Sequence, residues 1–276
     1  MKKIFPHHYF FILLLTAVFP LNGVGKETQL RIVSLAPALS EMVCALGGEK
    51  MLVARSSACD YPASLKKLPV AGSFGRPEVE RIMAQRPDWI IGNDLMNPNV
   101  SRILKNNRIK SDFRQIKNSN DYIFWLKLIG KTIKQEKAAA DEIQRFNNSL
   151  AELDKLPQLP LRALWIVNEK PLMVAGPGSL PDEALKLMKV KNAAANVPDE
   201  YFKCSVEWLL TAKIDIIIWG LPGMPDAKNP LWSKVQAVQQ KKIVTHALDD
   251  PVTRPGPRFA PALINMRKKI EKSAGK

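Results

Sequence analysis

Histidine and cysteine are both scarce in this chain, with three of each among 276 residues. So few ligands exclude a zinc-finger array, a disulfide-dense mini-domain and any three-histidine metal site in the folded part. His7 and His8 stand near the start, which leaves His246 alone in the body of the chain. A Gly-x-Ser-x-Gly elbow is missing too, so a hydrolase would have to be built on His246 without that signature. Acidic residues are outnumbered, 26 against 41 Lys+Arg, for a formal charge of +15. Beyond the first 25 residues no apolar run approaches the roughly 18 residues that read as a membrane span. What remains, 46% apolar and 24% charged, is ordinary globular composition and excludes a disordered or collagen-like chain. The length suits one large or two modest α/β lobes.

Residues 1–25 have the layout of a secretory signal peptide. Lys2 and Lys3 make a positive start, Phe10 to Leu21 is an apolar run broken only by Thr16 and Pro20, and Gly23-Val24-Gly25 permits cleavage before Lys26. An uncleaved anchor is the alternative. No Cys follows the run to carry a lipid. Cleavage leaves 39 basic against 26 acidic residues, +13. A basic balance often marks nucleic-acid binding. Export and the scattered placement of the lysines argue instead for a solvated basic surface, with no nucleic-acid partner.

Strand-like and helix-like segments then alternate. In the first half strands are expected over 30–36, 51–55, 88–92 and 112–116, with helices over 38–46, 77–85 and 100–107. Such alternation argues for a parallel sheet with βαβ crossovers. Between 120 and 156 there is no Pro and a single Gly, Gly130, while Leu126, Ile129, Ile133, Ala140, Ile143, Phe146, Leu150 and Leu153 recur at helical spacing. One helix of about 34 residues would be about 50 Å long; two helices broken near Gly130 are the alternative. Strands over 162–167, 172–175, 215–219 and 242–246 follow, with helices over 181–188, 206–212, 231–239 and from Phe259 onward. The expected fold is therefore α/β, with two Rossmann-like lobes of mostly parallel sheet, 26–119 and 157–276. A single long rigid helix over 120–156 joins them, and the signal peptide 1–25 precedes them.

The halves share a short repeat. Val79-Glu80-Arg81-Ile82-Met83 leads into Arg86-Pro87-Asp88-Trp89-Ile90-Ile91. At an offset of 127, without a gap, Val206-Glu207-Trp208-Leu209-Leu210 leads into Lys213-Ile214-Asp215-Ile216-Ile217-Ile218. Val79, Ile82 and Met83 should pack inward, as should Val206, Leu209 and Leu210, leaving Glu80 and Glu207 as equivalent exposed carboxylates.

Four segments then carry a resemblance: Arg31-Ile32-Val33-Ser34-Leu35-Ala36-Pro37 through Glu41, Cys59-Asp60-Tyr61-Pro62, Pro77–Ile91, and Arg254-Pro255-Gly256-Pro257-Arg258. In this order, with the long helical segment between them, the chain resembles the periplasmic substrate-binding proteins of cobalamin and iron–siderophore transporters. The likeness covers nearly all of the mature chain. The Asp-Tyr-Pro turn and the Arg-Pro-Gly-Pro-Arg loop look most like the cobalamin-binding branch.

The resemblance implies a monomeric periplasmic protein that performs no chemistry. It would capture a cobalt corrinoid, or alternatively a ferric siderophore or haem, and hand it to an inner-membrane ABC permease homodimer with its ATPase. No resident cofactor or metal is implied, since the metal arrives inside the ligand. In such a fold the loops leaving the carboxyl ends of strands face the crevice: 36–39, 56–62, 72–76 and 92–97 in one half, 175–180, 201–204, 220–224 and 247–258 in the other. The resemblance places Phe74, Asn93, Tyr201, Asp250 and Arg254 where cobalamin binders touch ligand, with Asp60, Tyr61 and Arg258 in the adjoining motifs. It also implies that Glu80 and Glu207 dock on arginines of the transporter. Ala58 and Asn93 depart from the pattern, since that branch often has aromatics there, and this bears on which chelate is bound.

Each residue has a plainer reading. Asp60 and Tyr61 can serve their own turn, Arg254 and Arg258 can be solvated, and Trp219 can be core. Cys59 and Cys204 can pair across the crevice, offer a thiol to a ligand metal, or remain two unpaired small residues. His246 can be structural, an axial ligand or a catalytic base, and Asp249-Asp250 can be paired carboxylates of a glycosidase. An exported hydrolase is thus the competing class.

Overall fold

A computed structural model describes Met1 and residues 29–93, 98–247 and 249–275. The expected signal peptide, Met1 aside, lies outside the described residues. The first lobe opens with β1 (Ile32–Ser34), buried throughout, and α1 (Pro37–Ala45). Pro37 sits in the first turn of α1, where its missing N–H costs nothing, and Gly47 beyond its end has φ +79°. Next come β2 (Leu52–Arg55), the short strands β3 (Gly72–Ser73) and β4 (Arg76–Pro77), α2 (Val79–Ala84), β5 (Trp89–Gly92), α3 (Pro98–Asn106) and β6 (Lys110–Phe113). The sheet order β2-β1-β5-β6 is wholly parallel. β6 begins and ends earlier than expected, which frees residues 114–117 as a loop at the carboxyl end of the sheet.

The expected single helix over 120–156 is two helices, α4 (Ser119–Thr132) and α5 (Glu136–Asp154). They fold back on one another. Tyr122 meets Phe146 with ring centroids 4.5 Å apart and donates to Glu142 at 3.0 Å. Gly130 lies so near α5 that a Cβ there would come within 2.6 Å of the Ala139 Cβ. Lys134 makes the reversal by adopting φ +57°, and the Gln135 N–H closes the end of α4 by donating to the Gly130 carbonyl at 2.7 Å. Apolar spacing is helical on both sides of such a turn, so periodicity does not reveal it.

The second lobe runs β7 (Arg162–Asn168), β8 (Met173–Ala175), α6 (Leu180–Leu187), β9 (Lys191–Asn192), β10 (Tyr201–Lys203), α7 (Val206–Thr211), β11 (Ile216–Trp219), α8 (Gln236–Gln239), β12 (Ile243–Thr245) and α9 (Phe259–Ser273). The helix expected over 231–239 is a 3-10 turn, Trp232–Lys234, followed by α8. The sheet order is β10-β8-β7-β11-β12, with β9 beside the start of β7. β7, β11 and β12 are parallel, while at one edge β8 runs antiparallel to both of its neighbours, β7 and β10. α4 packs on α1, and α5, about 28 Å long, packs on α6 and α9. One apolar cluster therefore runs unbroken from Ile32 and Trp89 through Trp125 and Phe146 to Trp165 and Leu263. The lobes share a core.

The repeat is structural. Asp88 accepts from the Arg31 backbone N–H at 2.8 Å, and Asp215 from the Arg162 backbone N–H at 2.7 Å. Trp89 then pairs with Ile32 as Ile216 pairs with Ala163. Glu80 and Glu207 are both exposed in the first turns of α2 and α7. In α2 Ile82 is buried with Val79 and Met83 half-buried, as expected, but α7 is seated differently. Leu209 is buried, but Val206 and Leu210 are 48% and 42% exposed, because Trp208 turns inward against Phe202 with centroids 5.1 Å apart.

Candidate ligand-binding site

A cavity of about 510 Å³ lies between the lobes. The first lobe contributes the start of α1, Ala58, Phe74, Asn93 and Gln115–Lys117; the second contributes Leu180, Glu200, Tyr201 and Thr253–Pro255. Phe74 stands in the turn of the β3–β4 hairpin, where Gly75 supplies φ +74°. Tyr201 opens β10 and pairs with Ala175 of β8. Both rings are unusually open for aromatics, 42% and 44% exposed. Burial of the Tyr201 hydroxyl, with the Glu200 charge beside it, raises its pKa above the ordinary phenol value.

Ion pairs cross the crevice. Arg254 donates to Asp60 at 2.5 Å, and Lys117 meets Glu200 at 2.6 Å. Burial opposes ionisation of Asp60, but the hydrogen bond and charge of Arg254 together outweigh it and hold the carboxyl below its usual range. Behind the cavity Arg258 makes a two-pronged bond to Glu41, at 2.8 and 2.6 Å, and lies over the Tyr61 ring, 3.7 Å from its centroid. Glu41 is almost fully buried, so Arg258 supplies the charge that this carboxylate needs there.

The structure thus brings Phe74, Asn93, Tyr201 and Arg254 to the lining of one cavity, with Asp60 attached to it through Arg254. Arg258 is occupied with Glu41 and the Tyr61 ring, and both Tyr61 and Arg258 lie outside the lining. Asp250 is also outside it. Its carboxylate accepts from the Val252 N–H at 3.0 Å and caps the 3-10 turn Pro251–Thr253, which leads to Arg254. The loop carrying Ala58 to Tyr61 is shaped by Arg55, whose guanidinium donates to the carbonyls of Leu65, Ser56, Ser57 and Lys66. Gln115, Ile116, Lys117 and Glu200 were not anticipated. The strand-end rule would have found the first three had β6 been placed three residues earlier.

His246 is 6% exposed. Its Nδ1–H donates to the Ala247 carbonyl at 2.9 Å, and its ring stands edge-on to Trp165. Burial lowers its pKa, which disfavours the protonated form. Trp219 is core, at 1% exposure. Cys59 and Cys204 are buried free thiols, and burial raises the pKa of both, that of Cys204 to about 11. Among the described residues no cluster of metal-ligating side chains is found, and no helix is long and apolar enough to cross a membrane.

Two lobes on a shared core, with a crevice lined from both, define a solute-binding protein. The chain belongs to the periplasmic binding protein family, which matches residues 32–247. That family binds solutes and does not catalyse their conversion, so the hydrolase alternative falls away. Over 265 residues the chain is 23% identical to a vitamin B12-binding protein of Vibrio parahaemolyticus, covering 90% of this chain and 92% of that one. Over 237 residues it is 27% identical to a vitamin B12-binding protein of Pectobacterium carotovorum, covering 83% and 84%. Its fold is similar to that of a periplasmic heme-binding protein of Roseiflexus (TM-score 0.80, 21% identity, 89% and 99% covered). It is likewise similar to a periplasmic vitamin B12-binding protein of Vibrio cholerae (TM-score 0.74, 23% identity, 89% and 98% covered).

Proposed function

We propose that the chain is an exported carrier that captures a cobalt corrinoid between its lobes and delivers it to an inner-membrane ABC permease homodimer with its ATPase. The observation that carries this reading is the pair of open aromatic rings, Phe74 and Tyr201, supplied to one cavity by opposite lobes. Opposed flat walls suit a broad macrocycle, and Asn93, Gln115 and Arg254 add directional hydrogen bonds to its rim. A corrinoid brings both axial ligands of its cobalt, so it asks the protein for walls and rim contacts rather than a metal donor. The vitamin B12-binding relatives support the same ligand class. Residues 1–25 act as the cleaved export signal, and Glu80 and Glu207 dock the two lobe tips on matched basic features of the permease. Calorimetric titration of the mature protein with cyanocobalamin, haemin and a ferric siderophore tests this, with cyanocobalamin expected to bind and the other two to fail.

A second reading, haem, is favoured by one observation. The Tyr201 phenol reaches the cavity, and a phenolate oxygen suits ferric iron. Haemin binding with a visible spectrum that changes in Tyr201→Phe, together with no cyanocobalamin binding, would move the assignment there.

A further inference from the structure

This inference rests on reading the crevice as a corrinoid site. Two cationic side chains reach the described lining, Lys117 and Arg254. Each is engaged by a carboxylate of the other lobe, Lys117 by Glu200 at 2.6 Å and Arg254 by Asp60 at 2.5 Å. Glu200 itself faces the cavity. The wall is thus charge-compensated pair by pair, inside a chain whose overall balance is +15. That excess acts weakly in the crevice, because charges farther than about 8–10 Å are largely screened at physiological salt.

We propose that this pairing makes the crevice a selector for uncharged amide rims, so that it rejects macrocycles bearing free peripheral carboxylates. An amide both donates and accepts. It can accept from Lys117 or Arg254 and donate to Glu200 while both ion pairs stay closed. A carboxylate only accepts. To be satisfied it must draw a cation away from its partner, leaving Glu200 or Asp60 uncompensated, or else lie against the Glu200 charge. In the open crevice this matters little, because the Lys117–Glu200 pair is nearly half exposed and such pairs are weak. Once a bulky ligand covers the pair and expels water, an uncompensated carboxylate becomes costly. Discrimination is therefore imposed at capture.

The test is calorimetric and uses two ligands that differ by one group, cyanocobalamin and its peripheral monocarboxylic acids, each with a single amide hydrolysed. The wild-type protein should bind at least one acid roughly tenfold or more weakly than the amide, the order expected of an opposed like charge. Glu200→Gln should narrow that gap at least threefold, and Lys117→Met, which leaves Glu200 unpaired, should widen it. Should one variant bind neither ligand, the other carries the comparison. Equal wild-type affinity for the amide and all the acids, or a gap that neither substitution moves, would overturn the inference while leaving the corrinoid reading intact. Failure of cyanocobalamin itself to bind would remove both.

Discussion

Each lobe buries one carboxylate in the helix that leads away from the crevice, and the two are compensated in different ways. In the second lobe Asp182 of α6 is held locally, by Lys186 one turn on at 2.7 Å, by Asn192 at 3.0 Å and by the Gly178 N–H at 3.0 Å. In the first lobe Glu41 of α1 is held by Arg258, which belongs to the other lobe and lies 217 residues away. Both carboxylates are almost wholly buried. The buried carboxylate of the second lobe is therefore compensated within its own lobe, whereas that of the first is compensated only when the second lobe is folded against it. Sequence symmetry in the strands does not extend to independence of the halves.

The largest effect should come from breaking that dependence. Arg258→Ala leaves Glu41 buried and unpaired, and should cost about 3–5 kcal/mol in denaturant unfolding. Lys186→Ala removes a mostly exposed partner while Asp182 keeps its other donors, and should cost about 1 kcal/mol or less. Equal losses would show that the lobes do not differ in this respect.

The crevice draws one aromatic from each lobe, so Phe74→Ala and Tyr201→Ala should each weaken cyanocobalamin binding by roughly 1–3 kcal/mol. A loss confined to one variant in calorimetry would assign the ligand to a single lobe. The element between the lobes can be probed on both sides of its reversal. Gly130→Ala forces a methyl against Ala139 and should cost about 1–3 kcal/mol. Lys134→Gly relieves a left-handed backbone and should gain about 0.5–1 kcal/mol, read as a raised Tm.

The smallest equilibrium effect belongs to the lobe tips. Glu80→Ala and Glu207→Ala should leave ligand affinity unchanged, lower uptake singly and lower it further together. A rim charge acts mainly on the rate and salt dependence of encounter. Because Val206 and Leu210 are exposed beside Glu207, docking through the second tip should be the less salt-sensitive. Normal uptake by the double variant at physiological salt would reduce the matched glutamates to surface residues.

Much of this arrangement was legible in the sequence. Apolar strands such as 88–92 and 215–219 announce themselves because parallel strands are buried on both faces. The Asp88 and Asp215 repeat marked a real equivalence of register. What was hidden has identifiable causes. Arg86, Arg108, Lys134, Lys189 and Lys241 all have positive φ just past the ends of helices, a place where glycine is the usual signal. With a basic residue there the stop is invisible, which is why the 120–156 segment read as one helix. β6, Lys-Ser-Asp-Phe, is a half-exposed edge strand without an apolar run, so the reading slid toward Ile116 and concealed Gln115 and Lys117 as crevice residues. Arg258 stands in the Arg254–Arg258 motif and Asp250 is singled out by the resemblance, but which partners they take is decided by pairings and turns that no local pattern encodes.

The Glu41–Arg258 bond also has a kinetic side. Closing a contact across 217 residues requires nearly the whole chain to be gathered first, and topologies rich in such distant pairings fold slowly. The second lobe, whose buried Asp182 is matched within a few turns, can set that part of its core on its own schedule. The first must wait for α9 to arrive. Refolding followed by hydrogen exchange should accordingly protect β7 and β11 before β1 and α1, so that the half of the molecule nearest the amino terminus is the last to set.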